Sequence, residues 1–126
     1  MKKKIIIGNW KNYLNYEESI HLSKKISKIN ISNNVRVMVS PNHLYLNEIN
    51  QIFNETNIEV IAQNVTSSES KSDTGGITVS NLKNLNIKRS IVAHSESRIR
   101  EKNPQKVLEE IIPIAYQFAV SYTHLR

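Results

Sequence analysis

Four short runs rich in isoleucine and valine, at residues 5–7, 35–39, 58–62 and 91–93, constrain the fold of this chain more than any other feature. Each run is apolar nearly throughout instead of alternating, which is how strands buried on both faces of a parallel sheet read. Parallel neighbours need a crossover between them, and crossovers are right-handed. The intervening stretches have helical character. Asn15 is placed to cap a helix, Glu18 completes a capping box, and Leu22, Ile26 and Ile29 follow at helical spacing. Ser40-Pro41 stops the second run, and Leu46, Ile49, Ile52 and Phe53 form the next apolar face. A weaker helix is predicted over 80–85. Asn103-Pro104 opens a fourth, because proline at the first helical position loses no needed hydrogen bond. Pro113 falls inside that helix, where proline costs about 3 kcal/mol unless the helix kinks or ends. The predicted order is βαβαβαβα, an α/β chain with parallel strands.

A length of 126 residues bounds this to one domain at most, and 39% hydrophobic with 22% charged residues fits a globular chain. The absence of cysteine excludes a disulfide framework and a thiolate-ligated metal. His21, His43, His94 and His124 lie on separate predicted elements without an i,i+4 pair, so no metal or other cofactor is expected. The net charge of +6 comes from scattered basic residues, with Lys2-Lys3-Lys4 as the one run. That argues against nucleic acid as a partner and for attraction of small anions. No signal-peptide core follows Met1, and residues 5–7 are far too short to span a membrane, so a cytoplasmic location is expected.

Chemistry concentrates where runs end. Gly8-Asn9-Trp10-Lys11 closes the first run and Ala93-His94-Ser95-Glu96 the fourth. A Lys and a His just past the C-terminal ends of parallel strands are placed to act on one small anionic substrate. The plainer readings are a surface histidine, a strand-to-loop turn at Asn9-Trp10, and a solvated helix-start charge at Glu96. The longest loop, 64–78, is rich in serine and threonine and holds Gly75-Gly76; a polar loop of that length is functional or disordered.

In this order and spacing, Gly8-Asn9-Trp10-Lys11, Ala62-Gln63-Asn64, Thr74-Gly75 and His94-Ser95-Glu96 with Arg98 resemble the triosephosphate isomerase family over most of residues 5–112. The resemblance implies the N-terminal half of a (β/α)8 TIM barrel, with residues 1–120 as half of a single domain. It implies interconversion of dihydroxyacetone phosphate and glyceraldehyde 3-phosphate through an enediolate, a step of glycolysis and gluconeogenesis. By the same resemblance His94 is the neutral electrophile, a role carried over from the family; Ser95 would cap a helical turn whose positive end disfavours imidazolium. Lys11 supplies positive charge for the substrate, Asn9 donates to it, and Glu96 is the ionic partner of Lys11. Thr74 and Gly75 form the tip of a loop that buries itself in the second subunit of a homodimer.

Two positions depart from the family pattern. Gly76 stands where the family usually has Glu, and Ser97 precedes Arg98 where it usually has paired arginines. The family's general-base glutamate lies on a lid beyond the sixth strand, and its phosphate cradle lies beyond that strand too. The chain by itself is therefore expected to be inactive, with open sheet edges prone to association. A non-catalytic half barrel that binds a phosphorylated ligand or a partner chain is the alternative. Residues 121–126 show neither a helical face nor a clear strand, and read as a foreign or unstructured tail.

Overall fold

A computed structural model describes residues 3–66, 72–92 and 121–124, the last by backbone alone. The chain forms two compact units, residues 1–63 and 64–126. In the first, the order is β1 (Lys4–Asn9), α1 (Tyr16–Ser27), β2 (Val35–Ser40), a 3-10 turn (His43–Tyr45), α2 (Leu46–Ile52) and β3 (Ile58–Val60). The strands are parallel in the order β1-β2-β3. Register runs from Lys4 opposite Val35 to Asn9 opposite Ser40, and from Val37 opposite Ile58 to Val39 opposite Val60. Beyond the strand ends, Trp10 N–H donates to the Ser40 carbonyl at 3.0 Å and Ile61 N–H to the Val39 carbonyl at 2.9 Å. Asn9, Ser40 and the residues after β3 thus share one sheet edge.

The core of this unit lies where the apolar runs and α2 meet. Met38, Val39, Ile58, Val60 and Ile61 are buried, as are Leu46, Ile49 and Phe53 from the α2 side. Each such side chain is worth roughly 1.5–3 kcal/mol when fully buried. The expectation of burial on both faces fails at β1, where Ile5 is 58% and Ile6 56% exposed. Among the described residues β1 pairs with β2 alone, so it is an edge strand and lacks the second neighbour that would cover it.

Helix α1 begins as its sequence dictates. The Asn15 side chain accepts from Glu18 N–H at 2.9 Å, and the Glu18 carboxylate accepts from Asn15 N–H at 3.2 Å. Its buried face differs from the predicted one. Ser19 and Ser23 are fully covered, and Ser23 Oγ donates to the Ser19 carbonyl at 2.7 Å; Ile29 lies past the helix end and is 57% exposed. Small residues one turn apart allow close approach, and bonding back to the carbonyl four residues earlier satisfies the hydroxyl.

The second unit holds α3 (Val79–Asn84), β4 (Arg89–Val92) and β5 (Ser121–His124). Thr78 caps α3 by accepting from Asn81 N–H at 3.2 Å. Val65, Val79, Leu82, Ile87, Ile91 and Val92 are its buried apolar residues among those described. β4 and β5 pair in parallel, Arg89 opposite Ser121 through Val92 opposite His124. Residues 121–124 are therefore extended where the sequence suggests an unstructured end. The open ladder of β4 offers hydrogen bonds to any extended segment, whatever its apolar pattern. The predicted helix start at Asn103-Pro104 and Pro113 lie outside the described residues.

Candidate active site

The end of β1 turns sharply. After Trp10 has extended the ladder by one residue, Lys11 adopts φ +51°, in the left-handed region. For a residue with a Cβ that conformation costs roughly 1–2 kcal/mol, and it persists where surroundings enforce it. Two side chains do so. Asn9 Oδ1 accepts from Lys11 N–H at 3.0 Å, closing a local turn. Gln63 Nε2 donates to the Lys11 carbonyl at 2.9 Å and to the Ser40 carbonyl at 3.1 Å. The ends of β1, β2 and β3 are thereby tied together through the backbone of one lysine. The Lys11 ammonium lies 5.9 Å from the centroid of the Tyr13 ring, within cation–π range.

Neighbouring loops carry further polar links. Asn42 Nδ2 donates to Asn12 Oδ1 at 2.6 Å, joining the segment after β1 to the segment after β2. Ser40 is completely buried, and its hydroxyl has no hydrogen-bond partner among the described residues. An open groove lined by Lys3, Ser32, Arg36 and Asn57 lies at the opposite, N-terminal edge of the strands.

His43, in the 3-10 turn, has its pKa pushed below 6.5 because burial disfavours the imidazolium. The folded state then binds fewer protons than the unfolded one. This contribution to stability is complete above the unfolded pKa near 6.5 and is lost as pH falls through the lower folded value. Urea midpoints measured from about pH 7.5 to about pH 5 are expected to fall more steeply for the parent chain than for His43→Gln. Equal slopes would remove His43 as the titrating group.

In the second unit, the loop carrying Thr74 and Gly75 is closed at its base. Thr66 N–H and Thr66 Oγ1 both donate to the Ile77 carbonyl, at 2.8 and 3.1 Å. Its tip is a turn in which Gly76 N–H donates to the Asp73 carbonyl at 3.1 Å. Gly75 at φ +79° occupies the third turn position, as type II geometry requires. A Cβ at Gly76 would meet the Asp73 carboxylate and lie 3.2 Å from the Asp73 carbonyl oxygen. The glutamate that the resemblance leads one to expect there would displace the Asp73 side chain.

Of the residues singled out from sequence, Asn9 and Lys11 are joined by a hydrogen bond, and Thr74 and Gly75 are the exposed central residues of a turn. His94, Glu96, Ser95, Ser97 and Arg98 lie outside the described residues. Gln63 entered the sequence reading only as the middle residue of the Ala62-Gln63-Asn64 motif, without a role of its own. Among the described residues, no group of three His, Cys, Asp or Glu could hold a metal ion, and no helix is long and apolar enough to cross a membrane.

Comparison with known proteins bears on the same residues. The family model described as triosephosphate isomerase matches residues 4–121. The triosephosphate isomerase of Mycoplasmopsis pulmonis is 32% identical over 117 residues, covering 87% of this chain and 47% of the relative. That of Clostridium tetani is 32% identical over 117 residues, covering 93% of this chain and 46% of the relative. That of Flavobacterium psychrophilum is 34% identical over 99 residues, covering 78% and 40%. The chain spans half or less of the length of these curated relatives.

Proposed function

The chain belongs to the triosephosphate isomerase family, and from that premise we propose that it serves the interconversion of dihydroxyacetone phosphate and glyceraldehyde 3-phosphate. The observation that carries this reading is the tie of three strand ends on the strained backbone of Lys11. These bonds fix the Lys11 backbone at the C-terminal sheet edge, where its ammonium can serve a phosphorylated substrate and charge that develops on it. In the proposed reaction a base removes a proton from the carbon next to the carbonyl, and electron density moves onto the carbonyl oxygen. His94, as neutral imidazole, donates a hydrogen bond to that oxygen, and Lys11 offsets the negative charge. The former carbonyl oxygen gains a proton as the neighbouring hydroxyl loses one, and the base, whose proton exchanges with solvent while the enediolate lasts, delivers a proton to the former carbonyl carbon to complete the isomerisation. Glu96 pairs with the Lys11 ammonium and keeps it in place.

The family's general-base glutamate lies beyond the sixth strand, so the proposal assigns turnover to these residues together with that segment. In the proposal a second copy packs its 64–78 loop against this chain, with the exposed side chains of Tyr13 and Leu44 as its candidate contacts. These are 78% and 82% exposed, on segments joined by the Asn12–Asn42 hydrogen bond. A cytoplasmic setting fits a reaction on small phosphorylated metabolites.

The test is a chimera in which residues 4–121 replace the matching segment of the Mycoplasmopsis pulmonis enzyme. Coupled assays in both directions should find turnover in the chimera and none in the chain alone. A folded chimera that binds glycerol 3-phosphate without turnover would favour a non-catalytic phosphate-binding module instead.

A further inference from the structure

We infer that Gln63 is a positioning residue for Lys11, holding the lysine backbone in its left-handed turn so that the ammonium stays aimed at the anionic substrate. The inference rests on the proposed role of Lys11 as the cation of the site. Three observations converge on it. Lys11 holds φ +51°, which its own side chain does not favour. Its N–H is engaged by Asn9, a neighbour in sequence that follows the same strand. Its carbonyl is engaged by Gln63, a contact that refers Lys11 to a different part of the sheet. The same amide nitrogen also donates to Ser40, which ends the central strand, so the anchor is itself fixed to the sheet.

An amide is suited to this task because its NH2 group has two donors, one for each carbonyl. A glutamate of the same shape has none when ionised, and methionine fills similar space with no donor at all. Either change would leave two carbonyls without this partner. Lys11 would then be free to relax toward the commoner right-handed or extended regions, swinging its side chain away.

Two measurements decide the matter. In the chain itself, Gln63→Met should raise the hydrogen-exchange rate of the Lys11 amide at least about tenfold, with the Tyr13 amide, which donates to the Trp10 carbonyl, little changed. In the chimera, Gln63→Ala and Gln63→Met should each lower kcat/KM by roughly 10- to 100-fold. In a Lys11→Ala background the same substitutions should cost less than about twofold more, because a residue acting through Lys11 has nothing left to position. A full additional loss in that background, or an unchanged Lys11 exchange rate, would overturn the inference. An active chimera indifferent to Gln63 would remove the inference alone. An inactive unsubstituted chimera would remove the proposed isomerase reading and this inference with it.

Discussion

Replacing His94 with asparagine in the chimera is expected to lower kcat by roughly 10²–10³-fold while leaving KM within a few-fold. The asymmetry follows from where the charge sits. A hydrogen bond to a ground-state carbonyl is weak, whereas the same bond to a developing enediolate oxygen is charge-assisted and strengthens as the proton leaves. Asparagine retains an N–H donor but is shorter, and its amide holds the donor elsewhere, so it binds the substrate yet misses the oxyanion. It is polar and smaller than histidine, so the unfolding midpoint should barely change. Near-normal turnover in a folded His94→Asn chimera would remove His94 from the site. A loss confined to KM would make it a binding residue only.

The second large effect separates the two roles proposed for Lys11. Lys11→Ala and Lys11→Gly both delete the ammonium, and both should lower kcat/KM in the chimera by about 10²-fold or more. Their stabilities should differ. Alanine keeps the left-handed strain of roughly 1–2 kcal/mol, which glycine releases at an entropic cost of about 0.5–1 kcal/mol. Glycine at position 11 should therefore be the more stable of the pair by up to about 1.5 kcal/mol, measured by urea unfolding of the chain. Glu55, exposed and also left-handed at φ +64°, provides the control. Glu55→Gly should bring a similar gain with no change in kinetics. If Lys11→Gly is no more stable than Lys11→Ala, the strained turn does not exist in solution. If neither alters kinetics, the lysine is outside the site.

Legibility from sequence followed the range of the interactions. The capping box at Asn15 and Glu18 is local and was readable in full. Apolar run 35–39 anticipated β2 to within one residue, because its interior position buries its C-terminal half on both faces. β1 was equally readable as a strand, but the exposure of Ile5 and Ile6 depends on how many neighbours β1 has, which its own residues do not encode. The buried face of α1 was misjudged for a related reason. Large apolar side chains were assumed to face inward, whereas close packing selected Ser19 and Ser23. At the site, Lys11 was visible as part of a strand-end tetrapeptide. Its left-handed backbone was not visible, since lysine gives no local signal for positive φ. The Gln63 contact spans 52 positions in the chain and arises only when the strands are paired, so no local pattern could disclose it. Ser121–His124 pairs with β4, a partner that no pattern within those four residues announces.

The most direct measurement is solvent exchange during turnover. The chimera is incubated with dihydroxyacetone phosphate in D2O, and the carbon-bound protons next to the carbonyl are followed by 1H NMR. Proton transfer through an enediolate, with Lys11 and His94 stabilising the anion, leads to deuterium on that carbon of the recovered substrate and at the new C–H bond of the product. Product formed without deuterium at that bond, or substrate that binds and keeps all its protons, would contradict the proposed chemistry.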